Sequence, residues 1–253
     1  MKTTENTYRK EINKIAIPLI FSSLTSVCMG IIDQAFVGHI SVYAYAGVGL
    51  VCSCINSLVG VLGAFSIAFN ICGSRIKGEN DQEGLNEAFT ISCLLCGGIG
   101  LFLFLLFLLF CDPVLNIGFG LRGDTLKEAV RYLRIFSLTI PLNLLIFIYN
   151  GVFKIVRKTG HIFAVSLFAN ALNVVLDYAL IFGKCGLPAM GTEGAAIGTV
   201  AALTVNLGIY VCMARRYIHF TGRIQSLGQK LKEKLIFSLP FLDRKLWRIL
   251  CLW

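Results

Sequence analysis

The sequence predicts an all-α polytopic membrane protein, a six-transmembrane-helix bundle. Three observations predict it. Of 253 residues, 56% are hydrophobic and only 15% charged, where a soluble domain carries about 25% charged residues. The apolar residues gather in long runs with almost no Lys, Arg, Asp or Glu, and a spanning helix needs about 20 such residues. No run alternates apolar and polar residues as an outer-membrane strand would; LFLFLLFLLF (101–110) is apolar throughout.

Taken in order, residues 1–14 are polar and basic and form an N-terminal segment outside the membrane. The first span is expected at 15–39. Basic residues precede it, but it is longer than the core of a signal peptide and no A-x-A site follows, so it is retained. The second span is expected at 44–72, within the uncharged run 42–73, and ENDQEGLNE (79–87) after it reads as a solvated loop. The third is expected at 89–111. CDPVLNIGFGLRGDT (111–125) then reads as a loop, punctuated by Asp-Pro and Gly. The fourth, fifth and sixth are expected at 133–153, 162–183 and 193–214. GAAIG (194–198) has the G-x-x-x-G spacing that lets helices approach closely. The bundle thus occupies 15–216. Residues 217–253 form a basic tail whose longest uncharged piece, 235–242, is too short to span.

Charge placement sets the topology. Arg122, Lys127, Arg131, Arg134 and Lys184 fall on one side; the rest of the 23 Lys and Arg fall on the other, with both termini. The positive-inside rule makes that basic side cytoplasmic. The net charge of +9 is therefore a matter of topology and of contact with anionic lipid; membrane lipids are the expected surroundings and nucleic acid is not a partner. The ten cysteines lie mostly within spans, where Cys acts as a small apolar residue. No H-E-x-x-H or G-x-S-x-G lies in a span, so an enzyme is not expected, nor a cofactor.

Two acids stand out. Asp33 is the one charge in 15–40 and Asp177 the one charge in 162–183. A charge at mid-membrane costs about 2.5–3.5 kcal/mol on insertion scales and marks a functional position by default. Apart from Arg134 at the very edge of the fourth span, no Lys or Arg lies in a span to neutralise them, so a cation from solution is the natural partner. Asn173, four residues before Asp177, shares its helix face. A carboxylate and an amide oxygen on one face are hard ligands that suit Na⁺ or a proton relay. Thr199 in the sixth span adds a hydroxyl. Asn150 sits at the end of the fourth. Pro18 lies inside the first span, where proline removes a helix hydrogen bond and marks a candidate hinge.

At these residues the sequence resembles the multidrug and toxic compound extrusion (MATE) family of secondary transporters. MGIIDQAFVGHIS (29–41) looks like the family's first helix, with Asp33 as its membrane-embedded acid and Pro18 as its earlier proline. NGVFKIVRKTG (150–160) is similar to the end of helix four. ANALNVVLDYALIFG (169–183) followed by GTEGAAIGTV (191–200) resembles helices five and six. The resemblance implies an exporter of drugs or organic cations in the cell (inner) membrane, coupled to Na⁺ or H⁺. It implies a cation site at Asp33, Asn173, Asp177 and Thr199, with Na⁺ held by the first three, and a cavity lined by Asn150. The family has two six-helix lobes, so the chain is expected to be one lobe of a MATE transporter, the N-terminal one, and 217–253 the truncated start of a second. A half-length chain of this kind is expected to be inactive alone unless it pairs with a second lobe or forms a homodimer. Two other readings remain open: a flippase-like exporter of a lipid-linked precursor, against which stands the lack of basic residues in the interior of the spans, and a structural subunit that transports nothing.

Overall fold

A computed structural model describes residues 2–184, 186 and 188–220; the basic tail expected at 217–253 lies outside these from residue 221 on, as do Cys185 and Leu187. The described residues form eight α-helices: α1 (Lys2–Gly38), α2 (Val42–Leu62), α3 (Ala64–Gly78), α4 (Gln82–Pro113), α5 (Gly123–Phe136), α6 (Thr139–Ile155), α7 (Thr159–Phe182) and α8 (Gly191–Ala214). By length and hydropathy they make up to six spans: α1, α2 with α3, α4, the bent pair α5–α6, α7 and α8. This is a multi-pass membrane protein.

Local chemistry sets the ends of these helices. Ser41 caps α2 by accepting from the Ala44 N–H at 3.0 Å, and Asp81 caps α4 by accepting from Gly84 N–H at 2.8 Å, each satisfying a donor that the first turn leaves unpaired. Gly183 ends α7 in the left-handed region at φ 65°, which a glycine enters without steric cost.

The fourth span is where the structure differs from the sequence reading. The stretch 111–125 is mostly helical. α4 runs on to Pro113, a π-helical turn covers Val114–Gly118, and α5 begins at Gly123. α5 escapes a hydropathy reading because it is amphipathic. Ala129, Val130, Leu133 and Phe136 are buried, while Lys127 and Arg131 face outward. A 41° bend joins it to α6. Pro141 explains the bend's place: in a continuous helix its missing N–H would leave the Ser137 carbonyl unpaired and its ring would press on it. The chain turns at Ser137–Leu138, and the Ile140 N–H donates to Ser137 O instead, at 3.1 Å. Pro141 then packs so close to α4 that a Cβ on Gly100 would stand 2.6 Å from its Cα.

α7 lies between α1 and α8, and α6 packs against α4. The two ends of the bundle are distinct. At one, Thr159 Oγ1 meets the Lys14 carbonyl, and Gln82 and Asn86 hold the backbone of Tyr217 and His219. Lys77, Lys154 and Lys158 gather there, so it is called the basic end. At the other, Thr192 Oγ1 donates to Glu128 Oε2 at 2.6 Å and Arg134 pairs with Asp112 at 3.0 Å.

Candidate cation site

On α7, Asn170, Asn173 and Asp177 recur at a spacing that places them on one stripe of the helix. Asn173 and Asp177 are buried, Asp177 completely. α8 approaches this stripe through its small residues. A Cβ on Gly194 would stand 2.8 Å from the Leu180 carbonyl carbon, and a Cβ on Gly198 would overlap Oδ1 of Asp177. The G-x-x-x-G pair thus does two things. It lets α8 pack on α7, and it leaves room for a carboxylate between them. From the other flank, α1 brings Asp33.

These residues line one cavity of about 420 Å³, walled by α1, α2, α5, α6, α7 and α8. Asp33, Asn173, Asp177 and Thr199 all face it. Asn150 does not: it lines an adjoining cavity nearer the basic end. Pro18 lies inside α1, one turn before Ser22, and touches neither cavity. The sequence reading left out several walls, among them Gln34, Cys52, Tyr132, Asn170 and Asn206. Tyr132 stacks on Phe136 with centroids 4.7 Å apart, and its hydroxyl lies 3.2 Å from Cys52 Sγ. It comes from the amphipathic α5, which the sequence presents as charged. Asn206 follows Thr199 by seven residues, two turns along the same face of α8, and that spacing was its one visible signal.

The electrostatics of the cavity are one-sided. Its lining contains two acids and no Lys, Arg or His. The carboxyl groups of Asp33 and Asp177 are close enough to couple electrostatically, and Asn173 lines the same wall one turn from Asp177. Both oxygens of Asp177 and Oδ1 of Asp33 are buried and receive no hydrogen bond from the described residues. Two neighbouring carboxylates repel; with one proton or one metal cation between them the interaction becomes attractive. An unpaired buried charge costs several kcal/mol, so this geometry favours neutralisation, by a proton or by a metal cation, over two bare charges. Two carboxylates, an amide oxygen and a hydroxyl form a hard, all-oxygen donor set that suits Na⁺. Thr199 Oγ1 spends its proton on the Ala195 carbonyl at 3.0 Å, which leaves its lone pairs for a ligand. Among the described residues no group of three His, Cys, Asp or Glu forms a transition-metal site.

A family model described as MatE matches residues 18–179. A probable multidrug resistance protein NorM from Thermotoga maritima is 31% identical over 236 residues, covering 92% of this chain and 50% of the relative. A mutant of the Vibrio cholerae MATE transporter VcmN superposes with a TM-score of 0.87 at 20% identity, over 96% of this chain and 55% of that one. An outward-facing multidrug resistance MATE family transporter of the MOP superfamily superposes with a TM-score of 0.82 at 19% identity, over 94% of this chain and 52% of that one. The chain spans about half the length of the curated relatives it matches. At such identities the structural matches speak to the fold, which is that of one half of these transporters.

Proposed function

The chain belongs to the MatE family, and from that premise we propose that it is one lobe of a cation-coupled antiporter that exports drugs or organic cations. Asp33, Asn173, Asp177 and Thr199 take the coupling ion, Na⁺ or H⁺. The observation that carries this reading is that the fully buried Asp177 and the part-buried Asp33 face one cavity with no basic residue among its described walls. Such a pair must be neutralised from solution, and exchange of that cation is the work an antiporter couples to export. The names of relatives, multidrug resistance protein and multidrug export protein, support drugs as the substrate class. A cavity without Lys or Arg among its described walls fits a cationic cargo better than an anionic lipid-linked precursor.

In this reading the protein sits in the inner membrane with its basic end, and so both termini, in the cytoplasm. The relatives are about twice as long, and repeat-built transporters bind substrate between their repeats. The substrate cleft then forms between this lobe and a second one, or a second copy of this chain.

The test is drug accumulation in cells expressing the chain, with and without Asp177→Asn, at matched protein levels. Efflux from the parent that is lost in the variant supports a working cation site in a self-assembling lobe. Equal efflux from both sinks the role given to Asp177. If neither effluxes, the same pair is compared after co-expression with a second lobe.

A further inference from the structure

The cavity that holds the aspartates continues toward the basic end. A second cavity of about 350 Å³ shares Ser26, Asn143, Asn170, Leu203 and Asn206 with the first as common walls. From Asp33 the series Ser26, Ser22 descends α1; from Asp177 the series Asn173, Asn170, Ser166 descends α7; from Thr199 the series Leu203, Asn206 descends α8. With 1.5 Å of rise per residue, each leads the same way over about 10–16 Å. Asn150, on α6, lies at the far end.

This descent is built of uncharged polar groups with unused bonding capacity. Asn206 is buried, and its Oδ1 has no partner among the described residues. Neither has Nδ2 of Asn170, Nδ2 of Asn173 or Oδ1 of Asn150. An amide left unpaired in a buried site costs about 1–3 kcal/mol. Of these four, Oδ1 of Asn206 and of Asn150 can accept a cation directly, while the N–H groups of Asn170 and Asn173 can donate to the oxygens of its hydration water, so the line suits a hydrated cation. Amides and hydroxyls replace the water around a small cation without binding it as tightly as a carboxylate does. Below, the Ser22 hydroxyl donates to Ser166 Oγ at 3.0 Å, tying α1 to α7, and Tyr210 donates to the Ile162 carbonyl at 3.2 Å. These bonds close the line at its basic end.

We propose that the two cavities form one passage for a hydrated monovalent cation between the aspartate pair and the basic end, with the Ser22–Ser166 hydrogen bond as its closed exit. The inference rests on the cation-site reading above and adds to it a route and a side.

The test uses the full chain in liposomes and two thiol reagents of similar size, one cationic (methanethiosulfonate ethyltrimethylammonium) and one anionic (methanethiosulfonate ethylsulfonate). Each is added from the side of the basic end, which trypsin cleavage near Lys158 identifies. Adducts on Asn206→Cys, and separately on Asn170→Cys, are located by mass spectrometry, so the native cysteines do not interfere. The passage predicts modification by the cationic reagent at least tenfold faster than by the anionic one. It also predicts a several-fold rise in rate when Ser166→Ala is added, and a slower cationic reaction when Na⁺ is raised or Asp177→Asn is present. Two substituted positions guard against one variant misfolding, and reaction after unfolding in detergent checks that each thiol is intact. Equal rates for the two reagents, or no reaction at either position even with Ser166→Ala, would overturn it. The efflux assay reads Asp177 without reference to this route, so either result stands if the other fails.

Discussion

Gly198 on α8 faces Asp177 on α7 so closely that a Cβ at that position would overlap the carboxylate oxygen Oδ1. The absence of a side chain on one helix is what seats the charge on the other.

Gly198→Ala is therefore expected to push Asp177 out of place or α8 away from α7. Overpacking of this kind costs about 1–3 kcal/mol, and export is expected to fall with it. Gly208, on the same helix, has open space at its Cβ position. Gly208→Ala is expected to leave the unfolding midpoint within error or raise it slightly, since alanine is the better helix former. Thermal unfolding in detergent compares the two; equal losses would remove the packing explanation.

Asp177→Asn is expected to keep or raise stability while abolishing coupling. It removes one of two neighbouring like charges and offers an N–H donor to Asp33 in exchange. The gain is expected to be about 1–3 kcal/mol in Na⁺-free buffer at alkaline pH, where the parent pair has lost its shared proton. A destabilised variant would mean that Asp177 is paired by something the cavity does not reveal.

Sodium, if it is the coupling ion, should stabilise the parent. A ligand at 100 times its Kd adds about 2.7 kcal/mol. Unfolding in NaCl against choline chloride reads this, and the increment should vanish in Asp177→Asn. Stabilisation equal in both chains would place the ion elsewhere.

The surface pair Arg134–Asp112 makes the opposite prediction. Both side chains are more than half exposed at 3.0 Å, and such pairs contribute about 0–1 kcal/mol. Asp112→Asn should change stability by less than that and leave efflux unaltered. A large loss would show that the end of α4 is fixed by this ion pair and not by packing.

The spans were legible because hydrocarbon imposes a simple rule, and runs such as 162–183 obey it. Asp33 and Asp177 were legible for the converse reason, as charges that break it. α5 was not, because a helix that shows charge on one face and buries Tyr132, Leu133 and Phe136 on the other averages to an unremarkable hydropathy. Asn170 and Asn206 were hidden differently. An amide in an apolar run raises no alarm, and the two come into one cavity only through the crossing of α7 and α8. Asn150 was placed in the right region but in the neighbouring chamber, since position along a helix fixes depth and not which gap between helices a side chain enters.

α1 leans on α7 and touches α2, while its Ile20, Leu24, Val27 and Ile31 lie exposed along the other flank. Little besides the α7 seam holds it, and near the end of that seam away from the basic end sit the two carboxyl groups. Bare, they act as a wedge between the helices; sharing one cation, they act as a rivet. If the proposed cation site is right, the grip of α1 on the bundle counts ions, and occupancy at that one point is read out as the tightness of a helix 37 residues long.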